Sequence, residues 1–252
     1  NARLYAEQEE IARTLQRSLL PLRLPDLPGV EFAPRYRAAG KRNMVGGDFY
    51  DLWAIGEEGR FGIAIGDVCG KGAAAAALTA LARHTVRTAS LTIPDHRPAE
   101  VLRALNDAVI RRAGNGQFCT VAHAYATPID GGFVVTLASG GHPLPFIIRA
   151  DGSVEQPGRP GTLLGILPEI RVFEHRTVLR PGDTIVMWTD GVSDRRGDGE
   201  LFGEDRLRAV LVANAGRSPD EIADAIEAAV VGFSESDPQD DIAIVVARIR
   251  VA

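Results

Sequence analysis

The amino-acid sequence predicts two packed β-sheets flanked by pairs of helices. Strand-like stretches arrive in runs, helical stretches arrive in two adjacent pairs, and neither an internal repeat nor a domain linker interrupts them. Strict β-α-β-α alternation, the mark of a doubly wound sheet, is absent. A chain of 252 residues, 45% of them hydrophobic, is long enough for one substantial core.

Residues 1–20 read as a helix, because Leu4, Ile11, Leu15 and Leu19 recur at spacings of seven, four and four. Pro21, Pro25 and Pro28 end it and begin an extended connector. Its stripe either packs on its own domain or forms a signalling or dimerising helix. Strands are expected over 30–37, 48–55 and 61–67. The run FGIAIGDV is nearly continuous in apolar residues, as a strand buried on both faces should be. Gly72 opens an Ala-rich helix over 73–91. A second helix over 98–112 starts at Pro98, with Glu100 in its first turn.

Strands resume at 119–126, 132–138 and 144–149, and a Gly/Pro-rich excursion follows over 156–168. Two more strands, 172–178 and 184–189, lead to helices over 204–214 and 219–231. The last strand covers 242–250.

A formal charge of -5 argues against a nucleic-acid partner. Cys69 and Cys119 are too few for a disulfide framework or a cysteine-rich zinc site, so a reduced cytoplasmic setting is expected. No apolar run reaches the roughly 18 residues of a membrane span. The chain opens on Asn1 within a helical pattern, and upstream domains are therefore expected.

Four acidic motifs stand at strand ends: GGDFYD at 46–51, GDV at 66–68, TDG at 189–191 and QDDI at 239–242. Each alone is ordinary turn chemistry. Together they place Asp67 and Asp190 at the ends of apolar strands and Asp240–Asp241 before another. Such acids are costly without a counter-charge. Hard divalent cations, which prefer oxygen ligands, supply one.

GDVCGKG follows a strand and precedes a helix, but it is one residue short of a P-loop and carries Gly72 where a hydroxyl is required. Lys71 is left as a candidate for substrate phosphate or as a solvated lysine. Asp194–Asp205 fails as a calcium loop, since Arg196 fills a ligand position. His142 in SGGHP and Cys69 read as structural.

In order, GGDFYD, GDVCGKG, SGGHP, TDGVSD, ELFGEDRL and DDIAIVV resemble the bacterial SpoIIE/RsbU-type branch of the metal-dependent PP2C (PPM) serine/threonine phosphatases, from about Leu15 onward. The resemblance implies a four-layer α-β-β-α sandwich of two mainly antiparallel sheets, with residues 21–252 as the phosphatase domain and 1–20 as a regulatory linker. It implies carboxylates from Asp48, Asp67, Asp190 and Asp240 and the backbone carbonyl of Val68 around two Mn²⁺ or Mg²⁺ ions. Asp241 takes a supporting or third-metal role.

The implied chemistry is hydrolysis by metal-activated water without a phosphoenzyme. Cys69 stands where other PP2C enzymes carry a histidine general acid, and Asn43 where an acidic residue is common. Lys71 and Arg42 are the candidates for gripping phosphate. Implied partners are a phosphorylated STAS-domain anti-anti-sigma protein, an upstream sensor domain and a second copy through the N-terminal helix. A catalytically silent regulatory domain and a phosphoesterase for small molecules are the competing readings.

Overall fold

The computed structural model describes residues 19–21, 23–39, 46–56, 58–112 and 116–250. The expected N-terminal helix lies outside these residues except at its end, Leu19 and Leu20.

Strands β1 (Val30–Arg37), β2 (Phe49–Ile55) and β3 (Arg60–Val68) precede helices α1 (Ala73–Thr92) and α2 (Pro98–Arg112). Strands β4 (Cys119–Ile129), β5 (Gly132–Gly140), β6 (Phe146–Ile148), β7 (Val154–Glu155), β8 (Glu174–Leu179) and β9 (Thr184–Trp188) follow. A helical turn α3 (Asp190–Ser193) leads to the hairpin β10 (Arg196–Gly197) and β11 (Glu200–Leu201). Helices α4 (Gly203–Ala213) and α5 (Pro219–Gly232) precede the last strand, β12 (Ile242–Ile249).

One sheet has the order β1-β12-β9-β6-β7 and the other β2-β3-β4-β5-β8. Every pairing within them is antiparallel. The period-2 alternation of strands sorts β12 between two cores. Ala243, Val245, Ala247 and Ile249 enter the layer between the sheets, against Ile63 and Ile65 of β3. Ile242, Ile244 and Val246 face α4 and α5, where Leu207, Leu211, Ile222 and Ile226 cover them. On the opposite side Leu78 and Val86 of α1 and Leu102 and Leu105 of α2 cover the other sheet. The α-β-β-α order implied by the sequence is the order observed.

Local chemistry explains the element ends. Ser218 and Glu221 form a reciprocal capping box that starts α5, with Pro219 at its first turn. Four expectations need correction. The strand expected at 144–149 contracts to three residues because Pro143 and Pro145 border it. The strand expected from 172 begins only at Glu174. Asp190 does not end β9 but opens α3, behind Thr189 in extended conformation. The excursion is irregular from 156 to 173, yet Leu164 within it pairs with Cys119 in an isolated bridge, through hydrogen bonds of 2.9 Å each way.

Candidate active site

The acidic motifs converge at one end of the two sheets because three glycines allow the backbone to close in. A Cβ on Gly47 would lie 2.1 Å from the Val68 carbonyl oxygen and 2.5 Å from Asp67 Oδ1. A Cβ on Gly46 would overlap the Asp241 carboxylate, and one on Gly191 would lie 1.8 Å from the Asp241 carbonyl oxygen. No side chain larger than hydrogen fits there. Asp48, one residue ahead of β2, is thereby set against Asp67 near the end of β3.

Asp48 is fully buried and lies beside Asp67. Across the sandwich the Thr189 hydroxyl donates to Asp48 Oδ2 at 2.5 Å and accepts from the Ala243 amide at 3.0 Å. Burial, and then the charges of Asp67 and Asp241, push the Asp48 carboxyl well above the usual range. Burial and the Asp190 charge raise Asp67 to about 6. Asp190 is raised by burial and by Asp240 and Asp194. Among the described residues no Lys or Arg forms an ion pair with Asp48, Asp67 or Asp190.

Such a donor set suits divalent cations: hard oxygen ligands, mutually repelling, with a backbone carbonyl beside them. Among the described residues no three or more His, Cys, Asp or Glu side chains form a ready-made metal cage. Asp48, Asp67, Asp190 and the Val68 carbonyl fit the role of such donors.

Asp241 differs. Its Oδ2 accepts from the Tyr36 hydroxyl at 2.8 Å and its Oδ1 from the Ala39 amide at 2.8 Å, so it fastens β1 and the segment leaving it to the start of β12. Asp240 is more than half exposed and faces Lys71, with Nζ 3.3 Å from Oδ1 and 3.0 Å from the Gln239 carbonyl. Lys71, left open in the sequence between a phosphate contact and a solvated lysine, pairs with Asp240 of this cluster. Arg42 and Asn43 lie outside the described residues.

His142 links the sheets and is satisfied at both ring nitrogens. Nδ1 meets the Thr120 hydroxyl at 2.9 Å and Nε2 the Trp188 carbonyl at 3.0 Å, which defines the Nε2–H tautomer. Burial lowers it to about 3. Cys69 accepts from the Phe118 amide at 3.2 Å, and its sulfur holds the β3–α1 turn to the loop before β4. Asp51, within GGDFYD, belongs to a different network: buried, it lies 3.1 Å from Arg83 Nε and 3.3 Å from Arg87 Nε.

Sequence reasoning missed Thr189, whose only signal was its position before Asp190 in a TDG motif. It also missed the two cavities that flank α3. One, of about 410 Å³, runs from Asp190 and Asp194 past His142 and Leu144 to Glu204. The other, of about 260 Å³, is lined by Gly191, Asp194, Arg195, Arg196, Gln239 and Asp240.

A family model described as Stage II sporulation protein E (SpoIIE) matches residues 57–250. Protein IcfG of Synechocystis is 29% identical over 94% of this chain, and the match spans 40% of IcfG. Phosphoserine phosphatase RsbU of Bacillus subtilis is 26% identical over 96% of this chain and 70% of its own length. The SiaA-PP2C domain of Pseudomonas aeruginosa superposes with a TM-score of 0.79 at 22% identity, covering 98% of this chain and 97% of that domain. The RsbU and RsbW domains of Rv1364c from Mycobacterium tuberculosis give 0.76 at 24% identity, over 90% of this chain and 62% of that one. These two structures share its fold. With its sandwich, its converging carboxylates and a family match over most of its length, the chain belongs to the SpoIIE/RsbU-type PP2C phosphatase family.

Proposed function

We propose that residues 21–252 form a metal-dependent protein phosphatase that releases phosphate from phosphoserine or phosphothreonine. Its expected substrate is a STAS-domain anti-anti-sigma protein in the cytoplasm. The observation that carries this reading is the Asp48–Asp67–Asp190 cluster, buried at Asp48 and partly buried at the other two, which repels itself and pairs with no lysine or arginine among the described residues. Three mutually repelling carboxylates with no described lysine or arginine paired to them are costly unless cations complete them. Retaining that cost favours an active enzyme over a silent scaffold.

Asp48, Asp67, Asp190, Asp240 and the Val68 carbonyl would hold two Mn²⁺ or Mg²⁺ ions, with Asp241 in a supporting position. Bound there, the ions supply an activated water and neutralise charge on the phosphoryl oxygens. The protein's part is to orient. Thr189 fixes one Asp48 oxygen, Gly47 brings the Val68 carbonyl forward, and Asp241 fastens β1 to the start of β12. Residues 1–20 would serve as the linker from an upstream sensor domain and as a dimerisation helix. Support for phosphoserine as the group acted on comes from RsbU, named as a phosphoserine phosphatase.

The test incubates the Mn²⁺-loaded protein with a phosphorylated STAS-domain protein and with an unrelated phosphoserine protein. Release from the first at a rate well above the second supports the reading. Equal rates would remove the substrate assignment, and no release from either would remove the activity.

A further inference from the structure

Three described cations stand around the carboxylate end, and two are already committed. Lys71 pairs with Asp240 and the Gln239 carbonyl. Arg195 is buried, and its guanidinium donates to the carbonyls of Val230, Ser234, Ser236 and Asp237, where it fastens the turn after α5. Arg196 is exposed and lines the 260 Å³ cavity together with Asp194 and Asp240. Its guanidinium makes no ion pair or hydrogen bond with any described residue, although two carboxylates share the cavity wall.

The backbone under Arg196 is fixed. It pairs with Leu201 in the β10–β11 hairpin, which closes through Asp198 (φ 48°) and Gly199 (φ 83°), an Asp-Gly pair suited to a tight turn. Gly197 packs against α5's end so closely that a Cβ would sit 2.3 Å from the Phe233 carbonyl oxygen. The hairpin therefore cannot lift without losing that contact. An arginine on a rigid mount beside a candidate metal site presents a planar fork of donors, the geometry that matches phosphate and carboxylate.

We propose that Arg196 binds an anionic group of the substrate at the edge of the metal site. This rests on the phosphatase reading above. The anion has two possible sources, a phosphoryl oxygen or a substrate carboxylate next to the phosphoserine, and both would meet the same fork.

The experiment compares wild type, Arg196→Ala and Arg196→Lys, all Mn²⁺-loaded. Calorimetry measures binding of inorganic phosphate, and steady-state kinetics use p-nitrophenyl phosphate and two phosphoserine peptides, one with acidic flanking residues and one neutral. If Arg196 meets the phosphoryl group, Arg196→Ala weakens phosphate binding and raises KM for every substrate by roughly tenfold, with partial recovery in Arg196→Lys. If it meets a flanking carboxylate, phosphate binding holds and only the acidic peptide loses by that factor. Unchanged phosphate binding with unchanged KM for both peptides overturns the proposal, as does a fall confined to kcat. Phosphate binding is read without turnover. A wild type that binds phosphate and hydrolyses nothing therefore removes the phosphatase reading while Arg196 is still judged.

Discussion

Thr189 and Asp48, 141 residues apart, meet across the two sheets through a hydrogen bond of 2.5 Å from Thr189 Oγ1 to Asp48 Oδ2. The bond couples the end of β9 to the start of β2, so the carboxylates of the two sheets are held in one arrangement. A hydrogen bond to a metal-binding carboxylate typically governs affinity by ten- to a hundredfold. Thr189→Val should lower Mn²⁺ affinity by about that factor, and Thr189→Ser should restore most of it. Calorimetric Mn²⁺ titration of the three proteins is the check. Equal affinities would show that the bond is incidental.

The self-repulsion of the cluster predicts opposite effects on stability and on metal binding. In the metal-free protein Asp67→Asn should raise stability by about 1–2 kcal/mol near pH 7, since it removes a half-buried carboxylate whose charged form is disfavoured. The same variant should lose most of the rise in Tm that millimolar Mn²⁺ gives the wild type. Thermal melts with and without Mn²⁺ measure both. A metal-free variant less stable than wild type would contradict the electrostatic reading.

Asp51 predicts a purely structural cost. It is buried against Arg83, whose Nη1 also donates to the Leu19 carbonyl at 3.0 Å, so β2, α1 and the entry segment share one network. Asp51→Ala removes the buried carboxylate that faces the guanidinium groups of both Arg83 and Arg87, and should cost about 3 kcal/mol in urea denaturation. A loss below about 0.5 kcal/mol would place the network among surface pairs that contribute little.

Acid sensitivity should come from His123. It is buried on β4, with Nδ1 2.8 Å from the Ile63 carbonyl, and its Nε2 has no partner among the described residues. Burial lowers it from 6.5 to about 4. The unfolded chain therefore binds the proton first. Stability attributable to His123 is intact above pH 6.5 and declines as the pH falls toward 4, by about 3 kcal/mol in all. His123→Phe keeps an aromatic ring beside Trp53, whose ring stacks on His123 at 5.6 Å, and should remove this slope. The difference between the two proteins' stability-pH curves isolates it from the carboxylates. Parallel curves between pH 4 and 7 would refute the assignment.

Much of the frame was legible because it is local. Residues 30–37 and 98–112 were expected as strand and helix, and the structure places both at those bounds. Period-2 apolar runs and a Pro-led first turn are written in neighbouring residues. The acidic motifs were legible through their glycines and strand ends, and Asp48, Asp67 and Asp190 do converge.

What stayed hidden depends on partners far along the chain. Nothing near Thr189 announces Asp48, nothing near Gly197 announces Phe233, and Lys71 read alone could not reveal Asp240. The α3 turn was misjudged because the buried apolar run 184–189 made Asp190 look like the end of a strand, and β6 was drawn too long across Pro145. The Leu4–Leu19 stripe lies outside the described residues.

The most direct test of the carboxylate-held metal pair is p-nitrophenyl phosphate hydrolysis by wild type and Asp190→Ala, each with and without Mn²⁺. Wild type should turn over only with Mn²⁺, and Asp190→Ala should fall by at least about a hundredfold at the same metal concentration. Turnover that persists without metal, or that survives Asp190→Ala undiminished, would contradict it.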